Sequence, residues 1–175
     1  MVERVFHHPA NVLLSLSDGG NMRVAVAGDH AGLSAKEELL AHLEALGHEV
    51  QHLGAFQYDP EDDYPDYAKA VASAVATGQA DRGIVVCGSG VGACVAANKV
   101  LGVRAAICHD TYSAHQGVEH DDMNVLCLGG RIVGAEVAKE LAESFLNASF
   151  SGDERHVRRL NKLKAMEAEA FNRPS

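Results

Sequence analysis

No apolar run in these 175 residues approaches the ~20 that a membrane span requires. The first 21 residues hold one short apolar patch, Val12-Leu13-Leu14, too brief for the core of a signal peptide. A regular pattern begins at Met22, so residues 1–21 are expected to be a mobile extension ahead of a single domain over 22–175. Cysteine is sparse: Cys87, Cys94, Cys108 and Cys127 form no CxxC pair and no framework of a disulfide-stapled domain. Most of them lie in or beside apolar runs, as free thiols of a reducing cytoplasm do. Basic residues are also scarce. Fifteen Lys and Arg face 24 Asp and Glu, and a formal charge of −9 excludes a nucleic-acid surface, which needs basic patches. The one basic cluster, RHVRRLNKLK at 155–164, is local. Internal repeats and low-complexity segments are absent.

What remains is a regular alternation. Apolar, β-branched runs at 23–27, 49–54, 83–87, 103–108 and 124–129 read as strands. Between and after them, helical spacing covers 34–47 (capped by Ser34 and closed by Gly47), 67–78, 91–100, 111–120, 134–147 and 153–171. YDPEDDYPD, rich in acid and proline, reads as a solvated loop. Five strands each followed by a helix predict a three-layer α/β sandwich: a parallel sheet with helices on both faces, plus a C-terminal helix. Ligands of such sheets lie beyond the carboxyl ends of the strands. Gly28-Asp29-His30, Cys87 to Gly92, His109-Asp110-Thr111 and Gly129-Gly130-Arg131 fall there.

The stretch CGSGVG, 87–92, is the most informative of these. Glycines 88, 90 and 92 let backbone turn tightly and approach a ligand without Cβ contacts. The helix that follows aims its free N–H groups into the same space, which suits a phosphate or a developing oxyanion. The spacing is not that of a dinucleotide fingerprint, and no Walker lysine follows. Cys87 ends a buried strand, where a packing role is the simpler reading. Its place beside a helix N-terminus also suits a thiolate. Cys94, Cys108 and Cys127 read as packing residues, and His42, His48, His52 and His156 as structural.

Taken together, GDHAG after the first strand, CGSGVG with AANK after the third, HDDMNVLCLGGR near the fifth and arginines at 155 and 159 resemble the type B ribose-5-phosphate isomerases. That family includes the galactose-6-phosphate isomerase subunits, and the resemblance spans residues 22–170. It implies a Rossmann-like, cofactor-free and metal-free aldose–ketose isomerase. It further implies a homodimer, or a dimer of dimers, whose sites for a small phosphosugar use both subunits.

Residue by residue, the resemblance makes Cys87 the base that moves a proton between C2 and C1. Ser89 with Gly88, Gly90, Val91 and Gly92 becomes the enediolate cradle. Asp29 and His30 become contacts to the sugar or its phosphate, and His120 the group that opens the ring. Arg155 and Arg159 become the phosphate clamp and Arg131 a further arginine of the site. Some members place a glutamate after the last glycine of the turn. Ala93 stands there, which leaves Cys87 as the base. Many members follow the ring-opening histidine with Asn, and this chain has Asp121. His109 and Asn98 are secondary candidates, His109 as an alternative ring opener. The expected reaction is ribose 5-phosphate to ribulose 5-phosphate through a cis-enediolate. The alternatives are the same chemistry on a tetrose or hexose phosphate, or a phosphosugar-binding module without catalysis. A metal hydrolase built from the histidines and aspartates of 109–122 fits no standard zinc spacing.

Overall fold

The computed structural model describes residues 20–171. The expected extension over 1–21 therefore lies almost wholly outside the described residues. In chain order the elements are β1 (Arg23–Gly28), α1 (Leu33–Ala45), β2 (Glu49–His52), α2 (Tyr64–Ala76), β3 (Arg82–Cys87) and α3 (Val91–Ala97). They continue with β4 (Ala105–Ile107), α4 (Thr111–Asp121), β5 (Val125–Gly129), α5 (Ala135–Asn147) and α6 (Glu154–Phe171). Every strand pairing is parallel, and the order across the sheet is β2-β1-β3-β5-β4. The α/β sandwich expected from the alternation is the observed fold. Among the described residues no helix is long and apolar enough to cross a membrane.

Strand alternation sorts the core into two layers. Val24, Val26, Ile84, Val86, Leu126 and Leu128 face Leu39, Leu43, Val118, Leu141 and Phe145 from α1, α4 and α5. Ala25, Ala27, Val85, Cys87, Val125 and Cys127 face Ala68, Val71, Ala72, Ala93 and Ala97 from α2 and α3. The second layer is built of small side chains, so α2 and α3 sit close to the sheet. Phe145 has no exposed surface and packs beneath the Arg82 guanidinium, whose carbon lies 4.9 Å from the ring centroid. Phe145→Ala is expected to cost ~3–5 kcal/mol, from lost burial plus the cavity left behind. Urea unfolding of the two proteins measures it.

Several boundaries differ from the sequence reading, each for a local reason. α1 starts at Leu33 with Gly32 as its N-cap, not at a Ser34 cap. The Asp29 carboxylate already accepts the Ala31 and Gly32 N–H groups, both at 3.0 Å, and leads the chain into the helix. α2 begins three residues earlier than expected because Pro65 sits in its first turn, where its missing N–H costs nothing. α3 stops at Ala97, short of residue 100.

Asn98 then turns its side chain to β4. Its carboxamide donates to the Ala105 carbonyl at 2.8 Å and accepts the Ala105 N–H at 2.9 Å. It thereby occupies the groups that a further strand would pair with. The edge position of β4 follows from β5 inserting between β3 and β4.

Topology also creates the site. From β1 the chain moves outward to β2, then returns past β1 to lay β3 on the other side. That reversal opens a crevice between the carboxyl ends of β1 and β3.

Candidate active site

A pocket of about 380 Å³ fills this crevice. Asp29, His30 and Ala31 line it from the end of β1, and Cys87, Gly88, Ser89 and Gly92 from β3 and the turn. Tyr64, Arg131 and Ile132 close it. Cys87 is the last residue of β3 and is 4% exposed. Its Sγ accepts the Gly90 N–H at 3.1 Å. Gly90 has φ +82, a left-handed conformation that side chains resist, and as the N-cap it turns the chain from this contact into α3. Gly92 is required for a different reason: a Cβ there would meet the Tyr64 ring at 2.5 Å. The exit of β5 is tied to the turn, since Gly130 donates to the Cys87 carbonyl at 2.7 Å and Arg131 to that of Gly88 at 3.0 Å. Arg131 is thereby laid beside Gly88.

His30 carries a partner that the sequence did not reveal. Its ring Nδ1 lies 2.6 Å from Asp62 Oδ1, and its backbone N–H donates to the same oxygen at 3.1 Å. Burial alone would raise the Asp62 carboxyl, but the two bonds from His30, together with the Tyr67 phenol, outweigh it and hold the group below the ordinary range. The neighbouring Tyr67 phenol is pushed up by burial and by the Asp62 carboxylate. Lys36, fully buried on α1, was also missed. Its ammonium reaches the Ala55 carbonyl, His52 Nε2 at 2.7 Å and Glu37 at 2.9 Å, and so fastens the loop beyond β2 to α1.

A second cluster lies elsewhere. His120, on the last turn of α4, stacks against His156 of α6 with ring centroids 4.0 Å apart. Asp121, Arg155 and Arg159 flank the pair in sequence, and Ser151 ties the start of α6 to α4 by donating to the Glu119 carbonyl at 2.9 Å. α4 runs antiparallel to the strands, so its end lies at their amino edge. There the Asn124 carbonyl accepts from Gly83, at the start of β3, whereas Cys87 pairs with Gly129 at the other end. Four strand steps at ~3.3 Å separate the two levels by ~13 Å. Within one chain, His120, Asp121, Arg155 and Arg159 therefore stand apart from Cys87, Ser89, Asp29, His30 and Arg131. Asn98 and His109 are outside the pocket too: Asn98 serves the β4 edge, and His109 is exposed beside the α4 cap Asp110. The histidines and aspartates of 109–122 do not converge on one point among the described residues.

His156 is buried, with Nδ1 2.7 Å from Ser151 Oγ and Nε2 unpartnered. Burial, then the nearby His120 and Arg155, lower its pKa. A histidine whose folded pKa lies below the unfolded one takes up its proton more readily when unfolded. Stability is thus complete above about pH 6.5 and falls as pH drops through the folded value. Urea midpoints at pH 8 and pH 5.5 are expected to differ more for the native chain than for His156→Gln.

The other thiols are not all alike. The neighbouring Cys127 thiol brings Cys94 down to about 7, and Cys94 together with burial sends Cys127 up. Burial and Asp110 push Cys108 up to about 11.

A ligand-sized pocket at the reversal point of a parallel sheet, floored by a thiol in a glycine turn and flanked by a histidine and an arginine, defines an α/β enzyme. The profile of the Ribose/Galactose Isomerase family matches residues 24–163. Ribose-5-phosphate isomerase B of Escherichia coli is 43% identical over 145 residues, covering 83% of this chain and 96% of that one. D-erythrulose-4-phosphate isomerase 2 of Mycolicibacterium smegmatis is 38% identical over 148 residues, covering 83% and 97%. The structure of Mycoplasma genitalium ribose-5-phosphate isomerase B with bound ribulose-5-phosphate superposes with a TM-score of 0.80 at 41% identity, covering 84% and 97%. The chain belongs to the ribose/galactose isomerase family and is an isomerase, as the resemblance in its sequence implied.

Proposed function

We propose that this isomerase interconverts ribose 5-phosphate and ribulose 5-phosphate, with Cys87 as the carbon base. The observation that carries this reading is the Cys87 sulfur, set in the pocket and receiving the Gly90 N–H. A sulfur anion accepts such a bond better than a thiol does. After the ring opens, the thiolate removes the proton from C2. The C–H electrons become the C1–C2 double bond of an enediolate, and the charge moves to O1. The glycine turn holds that charge with backbone N–H groups. The hydroxyl proton passes from O2 to O1, C2 becomes the carbonyl carbon, and the Cys87 thiol returns its proton to C1. Proton count and charge are restored, and no cofactor is needed.

The phosphate clamp of Arg155 and Arg159 and the ring-opening His120 come from a second copy of the chain. The separation of about 13 Å between the level where α4 ends and that of Cys87 supports this reading. Exposed Val91 and Val95 on the outer face of α3, immediately beside the turn, fit a covered interface there. Remote phosphate binding then positions the reacting carbons. A tetrose phosphate is the second reading, favoured by the D-erythrulose-4-phosphate isomerase relative and by Asp121 in place of Asn. Turnover of four-, five- and six-carbon aldose phosphates, with C2 exchange followed in heavy water, ranks the substrates. Absence of exchange with every one of them would refute the isomerisation chemistry.

A further inference from the structure

We propose that Asp62 is a positioning residue for the pocket histidine: it holds Nδ1–H of His30 and so leaves Nε2 as the ring nitrogen that meets the substrate. The inference rests on the isomerase reading above and adds to it a residue outside the pocket lining.

Asp62 belongs to the acidic stretch 59–66, whose sequence reads as a solvated loop. Its acidic neighbours Asp59, Glu61, Asp63 and Asp66 are indeed exposed. Asp62 alone turns inward, and its side chain is only 7% exposed. One oxygen takes both His30 donors, backbone and ring. The other oxygen is buried, with the Tyr67 phenol nearby and no partner at ordinary hydrogen-bond distance. Such a placement is costly unless the group is held for a purpose. A carboxylate accepts and does not donate, so the nitrogen facing it at 2.6 Å must carry hydrogen. The tautomer and the flip of the ring are then both decided. Tyr58 meets the same ring edge-on at a centroid distance of 6.0 Å and limits its rotation. With Nδ1 engaged, Nε2 is the position through which His30 can exchange a hydrogen bond or proton with a bound sugar phosphate in either protonation state.

Asp62→Asn keeps the shape but offers an amide that can donate as well as accept, so the ring is no longer held to one tautomer. The expected loss in kcat/KM is about 10–100-fold, by analogy with carboxylates that orient metal-binding histidines. Glu61→Gln, on the exposed side of the same loop, is expected to stay within about twofold of the native enzyme, as surface substitutions do. Because Asp62 acts through His30, the double variant His30→Gln/Asp62→Asn is expected to be no slower than His30→Gln alone. The nitrogen-15 spectrum of the His30 ring in the native protein at pH 8 should show a protonated Nδ1, and that of Asp62→Asn a mixture. Losses that multiply, a native-like Asp62→Asn, or a native ring protonated at Nε2 only would each overturn the proposal. The native spectrum decides it even if Asp62→Asn does not fold. It also stands apart from the functional reading, which fails on substrate turnover and not on tautomer.

Discussion

Cys87→Ala is expected to lower kcat on ribose 5-phosphate by about 10³–10⁴-fold while phosphosugar affinity changes only a few-fold. The split follows from geometry. Cys87 stands in the pocket where β3 ends and the turn begins, while the arginines proposed to grip the phosphate are carried on α6. Cys87→Ser is the stringent companion. A hydroxyl can still accept the Gly90 N–H, which keeps the turn in place, but it is far too weak an acid to form the anion that removes a proton from carbon. If the role were packing alone, serine would be nearly native in rate and alanine would lower stability. Stopped-assay turnover, isothermal binding and urea midpoints on both variants separate the cases. Full turnover by either variant would remove Cys87 from the chemistry.

Arg155→Ala/Arg159→Ala is expected to raise KM by orders of magnitude, since arginine forks meet phosphate oxygens in pairs. The sharper result concerns mixing. On the proposed dimer, a Cys87→Ala chain and an Arg155→Ala/Arg159→Ala chain are each expected to be nearly inactive alone at low substrate. After subunit exchange at equal amounts, half of the dimers are mixed. Each mixed dimer has one site with both its thiol and its clamp intact and one site lacking both. Activity is expected to return to about a quarter of the native level, as two-fold symmetry requires. A single chain that completed its own site would show no recovery. The ~13 Å between the level of Asn124, just beyond α4, and that of Cys87 argues for recovery.

Much of this arrangement was legible in the residues. Short apolar runs located all five strands, four of them at a glycine, and the 87–92 glycines located the turn, because both features are local. His120, Arg155 and Arg159 were singled out through the family resemblance, and their distance from Cys87 was not legible. The swap that puts β5 inside β4, and α4's return to the amino edge, are products of long-range packing. Asn98 shows the same limit. Its position near the turn suggested a site role, and its amide instead covers an open strand edge. Asp62 shows the reverse, an acid in a polar loop that gave no sign of being buried against a histidine. Lys36 was unreadable for a similar reason, since nothing at helical spacing announces that an ammonium will be enclosed by the loop beyond β2.

By itself the amino-acid order determined the strand and helix succession, the parallel sheet and the chemical inventory: a thiol at a glycine turn, two histidine sets and an arginine pair. These depend on backbone preferences and side-chain alternation within a few residues. Which groups share a pocket, which acid meets His30 and which candidate residues stand apart from Cys87 were decided only by the tertiary structure. Strand order and helix direction set distances between residues far apart in the chain, and no local preference encodes them.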